Sequence, residues 1–88
     1  MLERRVIVGS SVGLHARPAA LVAKAAAAQP AEVNIAKDGA APVLAGSVLN
    51  LMTLAAAHGD EVVLTADGEH AEVALDAVAE LVGTELDA

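Results

Sequence analysis

Hydrophobic and polar positions alternate with two different periods along this chain, and each change of period marks an element. Leu2 to Val8 carry the β-branched run "RVIV" and break at "GSSVG", which predicts a strand followed by a loop. From Ala16 to about Ala28, "ARPAALVAKAAAA" is rich in strong helix formers. Pro18 falls in its first turn, where a missing N–H costs no intrahelical bond, and Pro30 ends it. Glu32 to Lys37 sets apolar Val33 and Ile35 between polar neighbours, and "DGA" turns the chain toward a short return strand at Val43 and Leu44. Gly46 and Ser47 then open a second helical pattern, with Val48, Leu51, Met52 and Ala55 at one-turn spacing beside Leu49 and Leu54. Gly59, in "HGD", reads as its left-handed cap. Glu61 to Ala66 is a strand ending at "DG". The last segment, Glu69 to about Glu85, puts Ala71, Ala74, Leu75, Val78, Leu81 and Val82 on one face and Glu69, Glu72, Asp76 and Glu80 on another, which predicts an amphipathic helix.

The resulting order, β-α-β-β-α-β-α, predicts an α+β fold: an open-faced β-sandwich in which a four-stranded antiparallel sheet carries three helices on one face. No linker or internal repeat interrupts the pattern, so residues 1–88 read as a single domain. Composition sharpens this. The chain is 56% hydrophobic yet has no Phe, Tyr or Trp, so Leu, Val, Ile, Met and Ala must fill the interior and the elements must approach closely. There are no cysteines, which excludes disulfides, thiolate ligands and a cysteine nucleophile and fits a cytoplasmic protein. A formal net charge of −7, with no aromatic side chain to stack on bases, argues against nucleic acid as a partner. No apolar run reaches the roughly 18 residues that suggest a membrane span, so no membrane insertion is expected.

Against this acidic background, "GLHARPA" (Gly13 to Ala19) places a histidine at a predicted helix start, and all three arginines, Arg4, Arg5 and Arg17, lie in the first twenty residues. At the helix N-terminus His15 faces free backbone N–H groups, among them those of Ala16 and Arg17, and the positive helix end favours the neutral, nucleophilic imidazole. A phosphoryl group on that ring would be cradled by the same N–H groups and reached by the Arg17 guanidinium. The fixed φ of Pro18 presets the first turn. His58 and His70 read as structural: one closes a predicted helix and the other opens the last one. The spacing of the three histidines matches no local metal-ligand pattern, so no metal or other cofactor is expected. Ser10, Ser11 and Ser47 lack the surroundings of a nucleophile elbow, and no phosphate-binding glycine loop is present.

With "GLHARPA" after the first strand, "GSVLNLMTLAA" downstream and the tail "HGDEVVLTADGEHAEVALDAV", the chain resembles the HPr family, the histidine-containing phosphocarriers of the bacterial phosphoenolpyruvate:sugar phosphotransferase system, over essentially its whole length. The resemblance implies that His15 takes a phosphoryl group on Nδ1 from enzyme I and passes it to the sugar-specific A components of permeases, with Arg17 stabilising it in transit. It makes the chain a carrier with a phosphohistidine intermediate rather than a stand-alone enzyme, a monomer, and a contributor to sugar uptake. Ser47 matches the family's regulatory serine, which implies a serine kinase and phosphorylase as further partners. Gly46 and Asn50 depart from the basic residue and glycine found around that serine in the kinase-regulated group. Ser47 is also a natural N-cap in its own right. Val48 and Leu49 point about 100° apart around a helix, so some of Val48, Leu49, Met52 and Leu54 must stay exposed. The resemblance makes them a docking patch; the plain alternative is a broad buried face.

Two other readings remain open at this level. The same chemistry would serve a paralogous carrier in a nitrogen-regulatory or dihydroxyacetone-kinase relay. From another class, a small non-catalytic ligand-binding regulatory domain on a ferredoxin-like sheet shares the β-α-β-β-α-β order.

Overall fold

A computed structural model describes residues 1–86. Its elements run β1 (Leu2–Ile7), α1 (Ala16–Ala27), β2 (Asn34–Lys37), β3 (Val43–Leu44), α2 (Val48–Thr53), β4 (Glu61–Ala66) and α3 (Ala71–Val82). The strands form one antiparallel sheet in the order β1-β4-β2-β3. β4 therefore lies inside the sheet, pairing Val62 with Val6 on one side and Leu64 with Ile35 on the other. Its strict alternation explains why: Val62, Leu64 and Ala66 are buried beneath the helices, while Glu61, Val63 and Thr65 face the open side.

The three helices cover one face of the sheet. α3 lies on β1 and β4, α1 packs against α3 and α2, and α2 reaches β3. Between the layers sit Val8, Leu14, Val22, Val33, Ile35, Leu51, Leu64, Leu75, Val78 and Val82, interleaved with alanines of α1 and α3. Small side chains let thin layers meet without aromatics. Gly9 and Gly83 go further and bring backbone against backbone: a Cβ on Gly9 would lie 2.3 Å from the Gly83 carbonyl oxygen. No helix is long and apolar enough to cross a membrane among the described residues.

Several element boundaries differ from the sequence pattern, β1 ending at Ile7 rather than Val8 among them. β2 begins at Asn34 rather than Glu32, although the Ala45 N–H still donates to the Val33 carbonyl in line with the β2–β3 register. α3 runs from Ala71 to Val82, inside the Glu69–Glu85 span, and hands its last residues to contacts with the β1–α1 loop. α2 is only six residues long and stops at Leu54, before Ala55, which adopts a left-handed φ of 58°. Gly59 is thus not a helix cap. It belongs to the turn into β4, where its N–H donates to the Val8 carbonyl at 3.0 Å. The backbone of residues 55–60 is committed to tertiary partners, and that demand overrides a hydrophobic period that would have continued the helix.

Candidate functional site

His15 is the N-cap of α1, with extended backbone (φ −121°, ψ 161°) and a side chain that makes no capping hydrogen bond. The ring is exposed and so is Arg17, whereas Pro18 and Ala19 are buried behind them. The first intrahelical donor is the Ala19 N–H, at 3.4 Å from the His15 carbonyl. Helix geometry leaves the Ala16 and Arg17 N–H groups without intrahelical acceptors, and Pro18 has no N–H to contribute. Among the described residues no carboxylate pairs with Arg17, and the first turn of α1 contains no acid. An exposed imidazole, two backbone N–H groups without intrahelical acceptors and a guanidinium unpaired among the described residues thus lie within three consecutive residues at one helix end. That is an arrangement that accepts a compact anion.

The loop that delivers His15 is held by two segments, the 55–60 loop and the end of α3 with the residues after it. Leu14 is 1% exposed and donates its N–H to the Ala56 carbonyl at 2.9 Å, so the residue before the histidine is fixed by both side chain and backbone. Gly13 lies with φ +72°, and any Cβ there would come within 2.5 Å of the same Ala56 oxygen; only glycine fits. Upstream, the Gly9 N–H donates to Val82, and buried Ser10 donates its hydroxyl to the Thr84 carbonyl at 3.2 Å while accepting the Leu86 N–H at 3.1 Å. Ser11 donates its N–H and hydroxyl to the two oxygens of Glu85.

Between these anchors Ala16 adopts φ +45°. A left-handed alanine costs about 1–2 kcal/mol and persists only where its surroundings over-determine it. Here Leu14 on one side and Pro18 with Ala19 on the other are buried. No sequence signal marks this residue, since alanine is the strongest helix former.

α2 places Ser47 at its own N-cap, where the hydroxyl accepts the Asn50 N–H at 3.2 Å. Leu51 is buried, Val48 and Met52 are partly exposed, and Leu49 is 70% exposed. Leu54 is half-buried against the core. His58 and His70 are exposed and lie outside this constellation, His70 beside Glu69 at 3.5 Å. Among the described residues no three His, Cys, Asp or Glu side chains cluster as a metal site would require.

The loop from Ala55 to Asp60, read in the sequence only as a helix end, supports the segment before His15 through the Ala56 carbonyl. The Asp60 carboxylate accepts the Ala57 N–H at 2.9 Å and lies 3.6 Å from the Lys37 ammonium. The Ala57 N–H holds this carboxyl below its ordinary value, against a smaller opposing effect of burial and with help from Lys37.

Known proteins resemble this chain over nearly its whole length. Residues 2–84 match the family model described as "PTS HPr component phosphorylation site". The chain is 48% identical to the phosphocarrier protein HPr of Streptomyces coelicolor over 99% of its own length and 94% of that protein's. It is 41% identical to the HPr-like protein Crh of Bacillus subtilis, over 98% of this chain and all of the other. The crystal structure of a phosphocarrier protein HPr from Bacillus anthracis superposes with a TM-score of 0.85 at 41% identity, covering 92% of this chain and 95% of that one.

Proposed function

This chain belongs to the HPr family of phosphotransferase-system phosphocarriers, and from that premise we propose that His15 accepts a phosphoryl group from phospho-enzyme I and yields it to the A components of sugar permeases. The observation that carries the reading is the exposed, uncapped His15 ring at a helix end where, among the described residues, no carboxylate pairs with the neighbouring Arg17 guanidinium. In the acceptance step the Nδ1 lone pair attacks phosphorus, the N–P bond forms, and the bond from phosphorus to the donor atom of enzyme I breaks. The ring proton stays on Nε2. Arg17 and the Ala16 and Arg17 N–H groups face the negative oxygens throughout, and Pro18 fixes the turn that aims them. Donation runs the same step backward to a different acceptor. Phosphoryl transfer of this kind needs positioning and charge stabilisation rather than an enclosed pocket, which suits a site on an 88-residue domain.

Val48, Leu49, Met52 and the rim of Leu54 form the docking patch in this reading, and the carrier works as a cytoplasmic monomer that leaves the patch free for successive partners. Phosphorylation of Ser47 would add negative charge beside that patch and break the Asn50 cap, opposing docking. Incubation with enzyme I and phosphoenolpyruvate should give an acid-labile, base-stable phosphate on the wild-type protein and none on His15→Ala. Phosphorus NMR should place it on Nδ1. A protein that stays unmodified beside demonstrably active enzyme I would refute the reading, and pairwise transfer to sugar-linked and nitrogen-linked A components identifies the branch served.

A further inference from the structure

We propose that Lys37, at the far end of β2, is a positioning residue for the His15 nucleophile, acting through the 55–60 loop on which Gly13 and Leu14 rest. The proposal rests on the phosphocarrier reading above for its kinetic consequence, and on geometry for its cause. The Lys37 ammonium donates to the Ala55 carbonyl at 3.2 Å and pairs with Asp60. Ala55 is the left-handed residue that ends α2, so Lys37 holds the chain where it departs from helical geometry. Asp60 in turn accepts the Ala57 N–H, and its own N–H donates back to the Ala57 carbonyl at 3.0 Å. Val8 donates to the Asp60 carbonyl at 2.9 Å. Ala56, clasped between Ala55 and Ala57, presents the carbonyl that accepts the Leu14 N–H and abuts Gly13.

One cation thus holds both ends of a short loop whose middle carbonyl sets the position of the residue before His15. Loosening the loop frees Leu14, and Leu14 is one of the two supports that keep Ala16 at positive φ. The ring would then sample orientations in which Nδ1 no longer faces the line of transfer. Nothing in the periodicity of β2 singles out Lys37, because its partners lie eighteen and more residues away along the chain.

The test compares Lys37→Met, Lys37→Arg and Asp60→Asn with Arg4→Met, which removes a β1 cation paired with Asp76 of α3 and leaves the 55–60 loop alone. Hydrogen exchange at the Leu14 amide and steady-state acceptance from phospho-enzyme I are measured on folded protein at one temperature. Lys37→Met should speed Leu14 exchange and lower kcat about two- to fivefold with KM little changed, the range expected for losing one partly exposed charged contact. Lys37→Arg should restore both, Asp60→Asn should move both in the same direction, and Arg4→Met should move neither. Unchanged Leu14 exchange in Lys37→Met, a rate loss equalled by Arg4→Met, or no rescue by arginine would overturn the proposal. If the wild-type protein accepts no phosphoryl group, the functional reading fails, while Leu14 exchange still decides whether Lys37 positions the loop.

Discussion

At the scale of single residues, charge and conformation divide the labour. Arg17→Ala removes the side-chain cation but leaves the N–H groups, so acceptance should slow by about 10²–10³-fold rather than vanish, the usual cost of one preorganised donor. Stopped-flow transfer from phospho-enzyme I measures it, with Arg17→Lys expected between the two because an ammonium cannot present a planar fork. Gly13→Ala meets both a left-handed φ and the Ala56 oxygen, and should lower stability in urea by about 1–3 kcal/mol while slowing transfer. The place of His15, Arg17 and Pro18 at a helix start was legible in the sequence because each is an unusual residue type there, whereas the left-handed turn at Gly13 shows only in the structure. Nor was the strain at Ala16 legible, since its conformation is imposed by neighbours and leaves no mark in its identity.

At the scale of elements, α2 is the instructive case. Its start was readable, because Ser47 caps Asn50 as its type and spacing suggest. Its end was not, because Ala55 to Asp60 answer to Val8, Leu14 and Lys37 rather than to their own period. Ser47→Ala should cost about 1 kcal/mol by loss of the cap, read from the shift in urea midpoint at constant m. Leu49→Asp should leave stability nearly unchanged, given its exposure, while raising KM for enzyme I. The 55–60 loop should respond to acid. The folded pKa of Asp60 lies below its ordinary 3.8, so its contribution is present above that value and is lost as pH falls through the lower folded value. The stability difference between wild type and Asp60→Asn should therefore be largest near neutrality and shrink to nothing in strong acid.

At the scale of the whole molecule, the order of elements was readable but the order of strands was not. β4 takes an inner position because Val62, Leu64 and Ala66 find partners on β1 and β2 at once, a non-local fit that local pattern does not encode. The aromatic-free core depends on a handful of large aliphatics, of which Leu64 and Leu75 are fully buried between sheet and α3. Either residue changed to Ala should destabilise by about 2–5 kcal/mol, a large share of the stability of so small a domain, and far-ultraviolet circular dichroism in denaturant would report it.

The loop before His15 is tied to residues 82 through 86, more than seventy positions further along the chain. The polypeptide is made from the other end. A nascent chain can form α1 and close the β2–β3 hairpin early, but the seat of its nucleophile stays unfinished until the end of α3 has emerged to meet it. On the proposed reading, a chain truncated before residue 82 lacks these anchors and should accept phosphoryl groups poorly from phospho-enzyme I, which a transfer assay on the truncated protein would measure.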